Sequence, residues 1–493
     1  MPHPSCHRLL GAISALAVAS VTTQPLLLAQ TSEVPPPPTD PLAAPPPVEP
    51  PPSLDPDDTS PWRLTPALGL PDWLEVAGTV RARFEHTDER FRLNLDGHNQ
   101  IFVLRSLVAL TIRDEFLSLT AELQDSRAYG FPDDAILSTA IVNAVELLQG
   151  YVAAGFTDAF QGGDSLDVLF GRHTMNVGSR RFVARNRYRN TINSFLGANA
   201  EWRSSGGTYA RAFYTHPTIR LPSGAEQEQL KDNVVEFDEE RSKNRFWGAF
   251  ASQSNALAEG TIEGYYYGLD RSDVFGLAVA DRELHTVGAR WHRSHRGGGI
   301  FWDLEAAYQF GDSRALTSST EDLDHSAYFT HASLGYAWDG DWSPRVEALF
   351  DLASGDDDPD DGQNNRFDTL FGARRFEFGP TGIFGAFART NLLSPGVRFV
   401  AKPATDWEFM FTHRFHFLAS DRDAWVPAGL RDPNGDSGDE IGTLTEFRVR
   451  YDIAPKSLRL EFGAAYLAAG EFIDNVGDGK DSLYTYVQTN FTF

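Results

Sequence analysis

Of the 43 basic residues in this chain of 493, 38 are arginine and five are lysine. Many of the arginines stand at alternate positions of short segments whose intervening residues are aromatic or aliphatic: Arg81 and Arg83, Arg105 and Arg113, Arg290, Arg414, Arg448 and Arg450, and Arg459. A guanidinium keeps its charge at any working pH, and its planar fork of donors matches a carboxylate in two parallel hydrogen bonds. Repeated along one face, such groups would hold polyanions bearing carboxylates. The same spacing also suits a polar face balanced by acids of its own, since Glu85, Glu122, Glu347 and Glu461 are interleaved with the arginines. From the residues alone both readings stand.

Other chemistries find less material. The one cysteine, Cys6, lies in a segment that reads as a cleaved leader, so the mature chain has no thiol chemistry. His413 and His416 share a segment but have no nucleophile elbow or metal-ligand spacing beside them, and the chain does not read as an enzyme. No nucleic-acid motif and no organic cofactor is implied. Two acidic stretches carry hard oxygen donors that suit a structural calcium ion. One holds Asp356, Asp358 and Asp360 together with Asp357 and Asp361; the other holds Asp432, Asn434, Asp436, Asp439 and Glu440, with Ser437 where an EF-hand needs glycine. The alternative for both is a solvated acidic loop facing lipopolysaccharide.

What must position the arginines is the β-strand, whose side chains alternate between two faces. Alternation marks eighteen segments, beginning with 74–87, 99–113 and 117–129 and including 165–177, 190–203 and 457–470, with 483–493 the last. In 457–470, Leu458, Leu460, Phe462, Ala464 and Tyr466 share one face, and Arg459 and Glu461 take the other. Connections alternate as well: short links such as 114–116, 204–207 and 454–456 stand between long ones such as 218–243, 354–390 and 420–440. No run approaches the ~20 apolar residues of a membrane-spanning helix. The pattern specifies an all-β fold, a transmembrane antiparallel β-barrel of about 18 strands with short periplasmic turns, long extracellular loops, an apolar outside and a polar inside. A barrel of that size encloses an aqueous channel. The terminal Phe493 closes an alternating last strand, the ending that the assembly machinery of outer-membrane barrels typically receives.

Three regions follow. Residues 1–30 read as a secretory signal peptide, with His3, His7 and Arg8 ahead of an apolar stretch. Residues 31–72 contain fifteen of the 29 prolines and read as a disordered spacer. Residues 73–493 form the barrel, in the bacterial outer membrane. The net charge of −25 does not exclude an anion path, because acids gather in the long loops, as at 226–240 and 356–361. Their field is screened within ~8 Å at physiological salt.

The run Phe170-Gly171-Arg172-His173-Thr174-Met175-Asn176-Val177-Gly178-Ser179-Arg180-Arg181-Phe182-Val183 resembles the alginate export family of outer-membrane porins. Val80-Arg81-Ala82-Arg83-Phe84-Glu85 is similar to that family's first strand, and Glu122 with Asp125-Ser126-Arg127-Ala128 to its third. Gln149 to Val152, Ala353 to Gly362, Phe367 to Phe371, Gly438 to Thr443 and Gly470 to Ile473 continue the resemblance over nearly the whole barrel. Thr174 and Arg180 depart from the pattern, where the family often has arginine and glutamine. The resemblance implies a channel that passes an anionic exopolysaccharide such as alginate through an arginine-lined constriction, with Arg81, Arg83, Arg127, Arg172 and Arg181 at the lumen or its mouth. Expected partners are that polysaccharide, outer-membrane lipid and lipopolysaccharide, and a periplasmic export partner. The alternative is a general or small-solute porin on the same scaffold.

Overall fold

The computed structural model describes residues 62–493 except 96, 161, 273–279, 296, 315–318 and 359. The signal peptide and most of the proline-rich spacer therefore lie outside the described residues. The last part of the spacer is packed against the barrel. A short helix, α1 (Leu64–Ala67), precedes the wall, and the Thr65 hydroxyl donates to the Val76 carbonyl at 3.2 Å and accepts from the Val76 amide at 3.0 Å.

The wall begins with β1 (Leu74–Asp88), β2 (Asn99–Arg113), β3 (Leu117–Tyr129), β4 (Asn143–Thr157), β5 (Ser165–His173) and β6 (Phe195–Arg203). It continues with β7 (Thr208–Pro217), β8 (Asn244–Leu257), β9 (Gly260–Arg271), β10 (Arg282–Arg293), β11 (Gly299–Ser313), β12 (Leu323–Ala337) and β13 (Trp342–Ala353). The two-residue β14 (Gln363–Asn364) lies in a loop beside β12, outside the wall. The ring then runs through β15 (Leu392–Lys402), β16 (Trp407–Phe417), β17 (Glu440–Ala454), β18 (Leu458–Ala469) and β19 (Ser482–Thr492). Each wall strand pairs antiparallel with its sequence neighbours, and β19 pairs with β1 from Thr79↔Thr492 to Asp88↔Leu483, so eighteen strands close. Closure leaves no strand edge to face hydrocarbon. The last residue takes part: Phe493 and Gly78 exchange both backbone hydrogen bonds, at 2.9 and 3.0 Å. A Cβ on Gly78 would lie 2.6 Å from the Phe493 ring, so only glycine leaves that ring its seat.

Alternation sorts the side chains as the sequence reading requires. Phe84, Leu110, Leu119, Leu334 and Phe462 are exposed on the outside, where lipid would cover them, while Arg83, Glu122, Gln309 and Arg414 are buried inside. Near the short turns, aromatic pairs such as Trp291 with Trp302 and Trp407 with Tyr451 lie 5.0 and 4.5 Å apart, as in the girdle that marks a membrane interface. Two expected strands are shorter than alternation suggested: 165–177 stops at His173, and 190–203 starts at Phe195. At the first, the Thr174 amide and hydroxyl both donate to the inward-facing Gln149 side chain, at 2.8 and 3.0 Å; before the second, the Ile192 amide donates to the Gln124 side chain at 3.1 Å, in place of a strand partner.

The interior is less open than strand number alone implies. The loops 174–194 and 354–391 fold inward onto aromatic side chains of the wall. Phe182 packs edge-on to Phe329 at 5.5 Å and Phe371 to Phe195 at 5.2 Å; across the lumen Phe384 meets Tyr484 at 5.2 Å. Such ring pairs each contribute about 0.5–1.5 kcal/mol beyond the area they bury.

Candidate functional site

The two inward loops join across the lumen. The Phe371 amide donates to the Phe182 carbonyl at 2.9 Å, Ala184 to Phe371 at 3.2 Å, and Ala373 to Arg180 at 3.0 Å. A Cβ on Gly372 would stand 1.7 Å from the Arg181 carbonyl oxygen, so the approach of the two backbones depends on that glycine. Residues 180–184 and 371–376 thus make a strap with one face toward the short turns and one toward the long loops.

On the short-turn side lies a cavity of about 610 Å³ lined by nine arginines, among them Arg180, Arg187, Arg375, Arg448, Arg450 and Arg459, with Glu461 the one carboxylate. On the long-loop side are two cavities of about 460 Å³ each, which share Arg282, Asp368 and Arg374. Adjacent strap residues serve opposite sides: Arg375 lines the first chamber and Arg374 the other two.

The arginines singled out in the sequence meet different fates. Arg448 and Arg450 point inward into the short-turn chamber, both reaching Glu408, at 3.1 and 3.0 Å; Arg450 also donates to Glu461 at 2.5 Å. Arg459 lines the same chamber and pairs with Asp452 at 2.6 Å. Arg81, Arg83 and Arg105 also point inward, but their forks grip the loop 174–194. Arg81 donates to the carbonyls of Arg187, Tyr188 and Arg189 at 2.8–2.9 Å, and Arg105 to those of Arg187 and Arg189 at 2.9 and 3.0 Å. Arg83 holds the Tyr188 carbonyl at 2.8 Å and stacks 4.3 Å over its ring. Arg113 sits at the short-turn rim beside Glu75, 3.1 Å away.

Arg181 and Arg290 belong to a buried charge network. Arg181 pairs with Asp303 at 2.8 Å, Glu305 at 2.5 Å and Glu377; Arg290 pairs with Asp303 at 2.6 Å and Glu263 at 3.3 Å. Arg389 joins Glu377, and Arg414 joins Asp351 at 2.7 Å. Arg172 lies at the long-loop end of β5, held by Glu146 at 2.5 Å and Glu240 at 2.7 Å. Arg127 is a correction: the buried face of β3 carries Thr120, Glu122, Gln124, Ser126 and Ala128, which puts Arg127 on the other face with its partner Asp125 at 2.9 Å. Alternation decides this against the family motif.

Residues the sequence reading passed over prove as prominent. Arg374, Arg375 and Arg389 come from one long loop, where the only sequence signal was the pair Arg374-Arg375 between small and aromatic residues. Arg185, Arg187 and Arg189, which follow the departure at Arg180, had no assigned place.

The acidic stretches are organised by their own backbone. Asp356 accepts from the Asn365 amide at 3.3 Å, and Asp358 from the Asp360 amide at 3.3 Å. Asp432 caps its own turn, accepting from Asn434, Asp436 and Ser437. The structure does not gather Asp356, Asp358 and Asp360 about one point. Among the described residues, the group that does converge is His331, Asp351 and Glu377, all buried; Asp351 and Glu377 are already paired with arginines, and His331 with Asp351 at 2.8 Å.

One long loop has a pH-dependent hold. In 218–243, Asp238 is half-buried and accepts from Asn143 at 2.7 Å and from the Leu221 amide at 3.0 Å, while its own amide donates to Glu146 at 2.7 Å. Burial pushes its carboxyl up to about 7, the Leu221 amide opposes this, and the Glu146 charge adds to it. The folded value lies above the unfolded one of ~3.9. The contribution is therefore complete below about pH 4 and lost as pH rises through about 7. A spin label on Glu228→Cys should gain mobility between about pH 5 and pH 8, and Asp238→Asn should abolish that change. Equal mobility at both pH values would overturn the assignment.

A closed antiparallel ring with an apolar outside, an aromatic rim and a charged interior defines a transport channel of the outer membrane. The family model for alginate export matches residues 72–486, and the chain belongs to that family. No curated protein matches it significantly. The fold is similar to three Pseudomonas aeruginosa structures, each similarity covering 85% of this chain and 98% of the other: OccK8 (OprE), 13% identical with a TM-score of 0.54; OpdK, 10% and 0.56; and OccK2 (OpdF) in complex with glucuronate, 11% and 0.53.

Proposed function

We propose that this barrel passes an anionic exopolysaccharide such as alginate across the outer membrane, outward from the periplasm, along its arginine-lined interior. The observation that carries this is the short-turn chamber, where nine arginines face one carboxylate. A polymer entering from the periplasm would meet forks already shaped for carboxylates. Several of those forks are partly occupied by Glu408, Glu461 or loop carbonyls, so each new contact is an exchange of partners and stays weak. Passage needs sites that release as readily as they bind. OccK2, of similar fold, is known in complex with a uronate, which agrees with a carboxylated sugar as cargo.

In this reading residues 1–30 direct secretion, and the proline-rich segment is a solvated spacer in the periplasm, where an export partner would deliver the polymer. The expected measurement is a reversal potential that shows anion selectivity in planar bilayers, with oligouronate added on the periplasmic side reducing the current. Neutralising Arg448 and Arg450 together to glutamine should move the anion-to-cation permeability ratio toward one and weaken the block. Cation selectivity that survives removal of the outer-loop acids would end this reading. A second reading, a porin for small anionic solutes, is favoured by the strap, which divides the interior into compartments of a few hundred Å³. Faster permeation of a monomeric uronate than of its polymer, with no polymer block, would select it.

A further inference from the structure

The long-loop chambers hold an excess of positive charge that the protein itself does not answer. Arg189, Arg220, Arg271 and Arg374 line the first of them, and among the described residues none of the four has a carboxylate within ion-pair distance. Arg282 is neutralised by Asp368, the one acid in the lining. Arg389, 1% exposed, is held by Glu377 on the strap side, and its Nε is left without a partner. The Nε atoms of Arg220, Arg282 and Arg374 are likewise buried without a partner. Uncompensated guanidinium groups gathered in one cavity repel one another and lose hydration. This shows in Arg189 and Arg374, whose burial pushes them down to about 9 and about 10.

We infer that the long-loop chamber is a binding site in its own right for short carboxylated sugars that arrive from the outer side, separated by the strap from the short-turn chamber. The inference rests on that reading for its ligand class and adds a second, sided site. Two cavities of about 460 Å³ that share Arg282 and Arg374 form one compartment. Each is within the ~300–1,000 Å³ of small-molecule sites, which suits an oligomer of two or three sugar rings better than a long chain. The polar lining includes groups a sugar uses besides charge: the Thr218, Thr369 and Ser223 hydroxyls and the Asn193 amide. The compartment reaches outward along the loop 218–243, where the exposed Gly224 forms part of its lining.

A ligand held here would not need to cross the strap, and this makes the test directional. In the full-length channel in a planar bilayer, a tri-uronate added on the outer side should block the current reversibly. Arg271→Gln together with Arg220→Gln should weaken that outer-side block about tenfold, the loss of one or two charge-assisted bonds, while block from the periplasmic side changes less than twofold. Arg220 also donates to the Ile192 carbonyl and Asn193. Arg271→Gln alone, which removes no hydrogen bond among the described residues, therefore guards against a loop defect and should retain part of the effect. An equal loss from both sides, or no loss from the outer side, would overturn the inference. If the unmodified channel prefers cations, the polyanion reading itself has failed; if it prefers anions and the sided effect is missing, only the outer site has.

Discussion

Removing residues 355–390 and joining Ser354 to Asn391 through two glycines is expected to raise single-channel conductance several-fold. The graft is geometrically mild, because the Asn391 amide already donates to the Ser354 carbonyl at 3.1 Å and the flanking β13 and β15 pair from Ala353↔Leu392 onward. The deletion takes away residues 371–376, one half of the strap, and the Phe378, Phe384 and Phe387 side chains that fill the barrel beside Tyr484. Eighteen strands without that filling enclose an aqueous bore. Ion selectivity should weaken along with the rise in current, since Arg374, Arg375 and Arg389 leave with the loop. The wall itself should persist, as its hydrogen bonds run between neighbouring strands, and heat-modifiable gel migration checks this. An unchanged conductance in a folded barrel would mean that the closure lies elsewhere.

Glu377→Ala should have the largest effect of any single substitution. Glu377 is the carboxylate shared by Arg181 and Arg389, all three almost wholly buried. Arg181 would keep Asp303 and Glu305, but Arg389 would lose the one carboxylate it pairs with among the described residues. Leaving a buried charge without its partner costs about 3–5 kcal/mol, and here the cost falls on the docking of the loop 354–391. Amides of the strap, such as Phe371 and Ala373, should exchange with solvent hundreds of times faster, and the current should flicker between levels. Adding Arg389→Leu should recover much of the protection, because removing both charges is far less costly than removing one. Exchange at Phe371 as slow as in the unmodified protein would contradict this account of the strap.

The wall was legible in the sequence because each of its rules is local. Period-two alternation located eighteen strands, and the rhythm of short and long links set their direction; both depend on neighbouring residues. The interior was less so. Arg81 reads as a pore residue on its own strand, yet its fork is filled by carbonyls 106 to 108 positions away, and a backbone carbonyl leaves no mark in composition. Where the loops 174–194 and 354–391 would lie was illegible for the same reason: their contacts are with each other and with distant strands. Arg127 is different, since its direction could have been read. Glu122, Gln124 and Ser126 already claimed the inner face of β3, and Arg127 is an odd number of steps from each.

The seam of the ring lies between its first and last strands, clasped where Phe493 meets Gly78. A copy that stops before β19 would leave both β1 and β18 with bare edges, since each pairs with that strand. Hydrocarbon cannot satisfy those edges, and exposed edges invite aggregation. An incomplete copy would therefore fail to seal, and the seam makes insertion conditional on a finished chain.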